Sequence, residues 1–437
     1  MKSTSRLARV VPCLLAPLLT LGMLTPSAHA ATETLTVYCD AEGNDALLLT
    51  ALVKGFQKSN PNIKTVLTIA PPNVDTKAMV KSSLIAGTMQ DVFSYYSGSL
   101  FQSLDPALNL TELTKESWQS TILSSFYPAV SIGPKVFGAP LGSATGGGIL
   151  YNKVIYRELG LRIPLTWPQF MRNNAIIKRA GIVPVIQTYK DPWTSQLLVL
   201  ADYFNVTVAF PDFAALYTIH RAVNADTPAA LVGFQHLEDM YKSGYLNKDF
   251  ATATFAQGLK YLATGLGAHY PMLTFASTDL AKKYPDQASN IGFFAQPGPS
   301  AERNGLTVWM PSALFIPKRV KNLENAKKFI AYSVSPEGMA VINAAFTPTG
   351  PFLVKNVKLS RAVSTITRDM LPYFESEGRT VPALEFLSPI KGPNLPGITV
   401  RVGSGKISAL SGARAYDDDV ARESVQLGLP GWGKLPQ

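Results

Sequence analysis

From Gly305 to Gly338 the chain reads GLTVWMPSALFIPKRVKNLENAKKFIAYSVSPEG. An apolar, β-branched run carrying Trp309 ends at Pro317. A basic turn, Lys318 to Lys321, follows, and helical spacing of apolar residues begins near Asn322. This is one strand feeding one helix, and it comes late. An earlier unit lies between Leu35 and Tyr96. There, strands at Leu35–Tyr38, Ile63–Ile69 and Asp91–Tyr96 enclose helices at Ala46–Phe56 and Thr76–Ala86. Asp45 is placed to cap the first helix, with Asn60-Pro61 as its stop and Gly87 ending the second. A βαβαβ order with short connections demands a parallel sheet with crossover helices.

That first unit has few strands before the chain leaves it. The intervening sequence builds a second unit after Val136–Leu141. Gly146-Gly147-Gly148 precedes a strand at Ile149–Tyr151, and Asn152 starts a helix ending at Gly160. Thr166 can cap the next helix, with Pro168 in its first turn. A strand at Ile182–Ile186 is followed by helical patterns at 192–204, 211–223, 228–242 and 255–263. Strands return at Ala268–Leu273 and Ile291–Ala295. Ligands bind outside the carboxyl ends of strands in doubly wound sheets, and two such lobes joined by several crossings make a hinged cleft.

The N-terminus carries the marks of an export signal over residues 1–30. Lys2, Arg6 and Arg9 form a basic region, Val10–Leu24 an apolar region, and Ala28-His29-Ala30 a small-x-small cleavage site. Cys13 lies inside the apolar region rather than after a lipobox, so the expectation is an unanchored periplasmic protein. Cys39 is then the lone thiol, and no intrachain disulfide can form. Setting the three leader cations aside lowers the formal charge from +10 to +7. The remaining cations are scattered and not interleaved with aromatics, which argues against a nucleic-acid groove.

Catalytic and metal-binding patterns are missing from the sequence. His220, His236 and His269 show no ligand spacing, and there is no HExxH, GxxxxGK[ST] or GxSxG. Gly142–Gly148 (GSATGGG) fits a hinge or tight turn, or a backbone that approaches a ligand closely. Asp417-Asp418-Asp419 reads as an acidic helix start that complements the helix dipole, without the spacing of a calcium loop. Tyr95-Tyr96 has no supporting acidic or histidine set for iron. No cofactor and no metal are expected.

Aromatic and polar residues do gather at strand ends and strand–helix turns. They are Asp40 and Glu42, Tyr96 to Ser99, Asp191 to Gln196, Tyr270 and Trp309. Aromatic rings can cover the C–H face of a sugar, while carboxylates, amides and hydroxyls bond its rim. Trp118, Trp167 and Trp432 are read as packing residues instead.

The order of several segments resembles the family-1 extracellular solute-binding proteins of carbohydrate ABC transporters. The segments include AGTMQDVFSYYSGSLFQSL (86–104), GGGILYNKVIYRELGL (146–161), PLTWPQF (164–170), VIQTYKDPWTSQLLVLADYF (185–204) and YDDDVARESVQLGLPGW (416–432). The resemblance implies an α/β fold of two lobes, each a sheet flanked by helices, joined by a multi-crossing hinge. Lobe one would hold 31–139 and 308–346, and lobe two 140–307 and 347–437. The implied ligand is a sugar or oligosaccharide, the implied partners are ABC permease subunits, and the protein would act as a monomer. Carried over by position, the cleft takes Glu42, Ser97 and Ser99 from lobe one. It takes Thr145, Gly147, Trp193 and Gln196 from lobe two, with Tyr270 and with Trp309 on the returning strand. Competing readings are another small polar solute on the same scaffold, such as a polyamine or polyol phosphate, and an exported carbohydrate-active enzyme.

Overall fold

The computed structural model describes residues 33–40, 44–71, 76–360, 362–429 and 431–433. The export-signal reading of residues 1–30 and the Glu42 assignment lie outside them. Two mixed sheets organise the chain. In the first, the spatial order is Ile63–Ile69, Glu33–Cys39, Val92–Tyr95, Ala313–Phe315 and Gly138–Pro140. The three early strands run parallel, as the βαβαβ pattern requires, and Ala313–Phe315 is antiparallel to both neighbours.

The second sheet centres on Thr145–Asn152, which is antiparallel to Gly267–Leu273, Ile291–Ala295 and Leu306–Trp309. Val183–Val185 and Thr380–Pro382 add parallel strands at its flanks. Local sequence explains many element ends. Thr166 and Gln169 form a reciprocal capping box at the helix Trp167–Arg179, with Pro168 in the first turn. Helix Asp45–Ser59 buries Leu48, Leu49, Leu52 and Phe56 on one face. Asp45 is its first residue rather than its cap; the cap position is Asn44, whose side chain makes no capping hydrogen bond.

The late block rejoins the early one through its helix. Phe56 meets Phe329 edge-on at 5.2 Å and Tyr332 at 5.6 Å, so helix Leu323–Ser333 packs on helix Asp45–Ser59. The strand expected over 305–317 is two strands in different sheets. Leu306–Trp309 belongs to the second sheet and Ala313–Phe315 to the first. Pro311 lies in the break, and it lacks the N–H that a continuing ladder needs. The expected lobe limit at 308 therefore falls inside a strand of the second sheet.

The chain crosses between sheets at 141–144 and at 310–312. The expected return at 347 comes early as well. Val354 still bridges Ile122, and Leu123 donates its N–H to Leu353 O at 2.9 Å. Only afterwards does helix Thr365–Met370 reach the second sheet, where Asp369 Oδ2 accepts from Phe293 N at 3.0 Å. Asp417 to Asp419 lie inside helix Ala409–Gln426 and not at its start. Asp417 accepts from the backbone of Asn224 and Ala225 at 2.8 Å each, and Asp419 from that of Asn394 at 2.7 Å. These carboxylates tie down neighbouring loops. No described helix is long and apolar enough to cross a membrane.

Candidate functional site

Two cavities open between the sheets. The first, of about 580 Å³, sits where the crossings converge. It is lined by Gly142, Ser143 and Thr145 from one crossing, by Met310, Pro311 and Ser312 from another, and by Phe346 and Thr349 ahead of the third. Asn44 and Asp45 at the start of the first helix face it from one side; Phe275, Thr278 and Asp279 face it from the other. Gly142 has φ +98, a left-handed turn that suits glycine at this crossing.

The second cavity, of about 830 Å³, is more highly charged. Lys81, Ser99 and Asp105 line it from the first sheet's side, and Trp309, Glu385, Lys391 and Glu423 from the second's. Both volumes lie in the range of small-molecule sites, about 300–1,000 Å³.

Tyr96, Ser97 and Phe386 line both cavities, so they form the wall between them. Phe386 belongs to the short helix Leu384–Leu387. It lies against Gly98, where a Cβ would stand 2.7 Å from Phe386 Cα and 2.6 Å from its ring. Gly98 has φ +74, so this position needs glycine both for its backbone and for the close approach. The wall is anchored from behind: the Trp309 indole N–H donates to Glu385, which also pairs with Lys391. Ala383 N donates to Val308 O at 2.9 Å, fixing the helix to the same strand.

The expected site residues divide. Ser97, Ser99, Thr145 and Trp309 do line the cavities. The Ser97 hydroxyl donates to Pro311 O at 2.8 Å, linking the first sheet's loop to a crossing. Gly147 does not line either cavity. It lies inside the central strand, where a Cβ would come within 3.0 Å of the Trp309 ring and 3.2 Å of Ala201 Cβ. The glycine run therefore admits packed side chains instead of a ligand. Trp193 packs at 5.4 Å from Phe255 and 6.0 Å from Phe275, one layer behind the first cavity. Gln196, on the same turn, also stands back from both cavities.

Tyr270 has no exposure at all. Its hydroxyl hydrogen-bonds Thr188 Oγ1 at 2.7 Å, and its ring covers Gly258 of helix Phe255–Thr264. It is a core residue. Phe386, Glu385 and Phe275 are cavity residues absent from the sequence reading. Leu384–Leu387 lies between Pro382 and Pro389, and nothing in its local pattern marks it as a cleft wall.

Away from the cleft, burial moves three ionisable groups toward their neutral forms. Burial pushes the Asp202 carboxyl up to about 7, although Asn205 and Gln296 donate to it at 2.8 and 3.0 Å. His236, stacked on Trp167 at 3.4 Å, is lowered by burial to about 3. His269 is lowered equally by burial; its Nδ1 faces Pro184 O at 2.9 Å and its Nε2 the Tyr156 hydroxyl at 2.7 Å. That pairing fits a neutral ring donating from Nδ1 and accepting at Nε2. Among the described residues, no group of three or more His, Cys, Asp or Glu side chains gathers as metal ligands would.

Residues 41–340 match the family model described as bacterial extracellular solute-binding protein. The chain is 27% identical over 302 residues to a multiple sugar-binding protein of Streptococcus mutans, covering 67% of this chain and 69% of that one. Among solved structures, apo RafE from Streptococcus pneumoniae superimposes with a TM-score of 0.77 at 21% identity, covering 89% of this chain and 98% of that one. A family 1 extracellular solute-binding protein from Bifidobacterium longum subsp. infantis gives 0.75 at 18% identity, over 90% and 100%. RafE in complex with raffinose gives 0.68 at 21% identity, over 89% and 100%.

Proposed function

The chain belongs to the bacterial extracellular solute-binding proteins, and we propose from this that it captures a sugar or oligosaccharide between two closing lobes. It would deliver that ligand to the permease subunits of an ABC importer, acting as a monomeric, unanchored protein of the periplasm and not as an enzyme. The relative from Streptococcus mutans is a sugar-binding protein by name, and a structural neighbour was solved with raffinose. The lobes correspond to the two sheets with their flanking helices. Of the described residues, lobe one takes those from 33 to 139 and again from about 313 to 354, and lobe two takes the remainder.

The observation that carries this reading is the placement of the cavities. Both are lined from the two sides, and the first sits on the crossings themselves. A ligand there touches both lobes at once, so it favours the closed arrangement by its extra contacts. Tyr96, Phe275 and Phe386 supply aromatic faces, while Asp45, Ser143, Thr145 and Asp279 supply rim partners.

The test is a titration against mono- to tetrasaccharides, read by tryptophan fluorescence and thermal shift. Binding of at least one sugar, lost on Tyr96→Ala, supports the reading. If no sugar changes either signal, the sugar assignment fails. If binding is unaffected by Tyr96→Ala, the cleft assignment fails while the function stands.

A further inference from the structure

We propose that Phe386 sets the length of ligand that the cleft accepts, by dividing it into two chambers. The inference rests on the sugar-binding reading above and goes beyond it by assigning the selection of chain length to one side chain. Each chamber alone has the size of a small-molecule site, whereas the two joined exceed that range. What separates them is thin: Tyr96, Ser97 and Phe386 each face both sides.

Of these three, Phe386 is the part contributed by the second lobe, and it spans the gap to touch Gly98. Its backbone as well as its ring contacts that glycine, so the ring cannot swing aside without moving the short helix that carries it. The helix is itself restrained by Glu385, held by both Trp309 and Lys391, and by the Ala383–Val308 backbone bond.

The chambers also differ in chemistry. The first is hydroxyl- and aromatic-lined at the crossings; the second is rimmed by Lys81, Lys391, Glu385, Asp105 and Glu423. A short saccharide fits the first chamber with its end stacked on the Phe386 ring, which offers a face to sugar C–H groups. A longer chain has to pass the position of that ring to enter the second. Phe386 thus acts as a stop, and Gly98 as the seat that lets the stop close.

The experiment compares wild type with Phe386→Ala and Phe386→Leu by titration calorimetry. The probes are three length series: xylose to xylotetraose, glucose to maltotetraose, and sucrose with raffinose and stachyose. Circular dichroism melts confirm that the variants fold, and Phe386→Leu provides a milder truncation of the wall. The expected result is a gain of about tenfold or more in affinity for the tetrasaccharide of the bound series in Phe386→Ala. The shortest bound member should weaken or stay within about threefold, and Phe386→Leu should fall between. If sugars bind but the long-to-short affinity ratio is the same in all folded proteins, the stop is overturned and the sugar-binding reading survives. If no series binds to any of the proteins, the sugar-binding reading falls and takes this inference with it.

Discussion

The indole nitrogen of Trp309 donates to the carboxylate of Glu385, joining the last residue of one strand to the helix that walls the cleft. The two residues are 76 positions apart in sequence. The contact gives Trp309 two roles, since its ring lines the second cavity while its N–H holds the wall. Replacing Trp309 by Phe keeps a ring and removes the donor. A hydrogen bond to a charged group contributes about 1.5–3 kcal/mol when well buried. Glu385 keeps some solvent contact and retains Lys391, so the expected loss is about 1 kcal/mol. Urea denaturation of Trp309→Phe beside wild type measures it. Equal midpoints would show that the bond does not brace the wall.

Gly147 tests the packing beneath that ring. A Cβ there meets Trp309 and Ala201 together, on a strand held by neighbours on both sides. Overpacking of this kind costs about 1–3 kcal/mol. Gly147→Ala should therefore lower stability by that amount and change the emission of Trp309, even without ligand. A variant as stable as wild type, with unchanged emission, would mean that the added methyl group does not press on the indole.

Tyr270 separates core from site. Tyr270→Phe removes the hydroxyl bonded to Thr188 and leaves the ring over Gly258. The expected cost is about 1 kcal/mol of stability, with ligand affinity unchanged in the fluorescence titration. Weakened binding in a fully folded variant would return Tyr270 to the cleft.

The sequence made the early unit readable because its strands and helices follow in short succession, each with local stops such as Asn60-Pro61. Thr166 is legible as a cap for the same reason, because it stands directly before a helical pattern with Pro168 in its first turn. The site was harder. Gly267–Leu273 is covered on both faces, so no alternation of polar and apolar residues shows which way Tyr270 points. Gly147 looked like a backbone offered to ligand, yet its missing Cβ serves a tryptophan on the adjoining strand. Phe386 was invisible because its meaning depends on Gly98, which lies far away in sequence and comes near only when the two lobes meet.

Buried ionisable groups in the second lobe predict a pH response whose parts oppose. His236 and His269 sit at about 3 in the folded chain, against about 6.5 when unfolded. Between those values the unfolded chain binds protons that the folded one refuses, so each histidine makes stability fall on acidification. Asp202 acts the other way. Its folded value of about 7 lies above the ordinary aspartate value of 3.8, so between these the folded chain holds a proton that the unfolded chain has released. Its contribution is full below about 4 and is lost as pH rises toward 7. Asp202→Asn preserves an acceptor for Asn205 and Gln296 while removing this titration. Relative to wild type, the variant should gain stability as pH rises from 4 to 7, by at most about 1.4 kcal/mol per pH unit. Urea melts at pH 4.5, 5.5, 6.5 and 7.5 measure the difference; titrations remote from position 202 cancel in it, whereas His236, whose Nδ1 lies 4.0 Å from Asp202 Oδ1, is followed separately by its NMR resonance. A difference that stays flat across this range would show that Asp202 ionises in the folded protein as readily as in the unfolded chain.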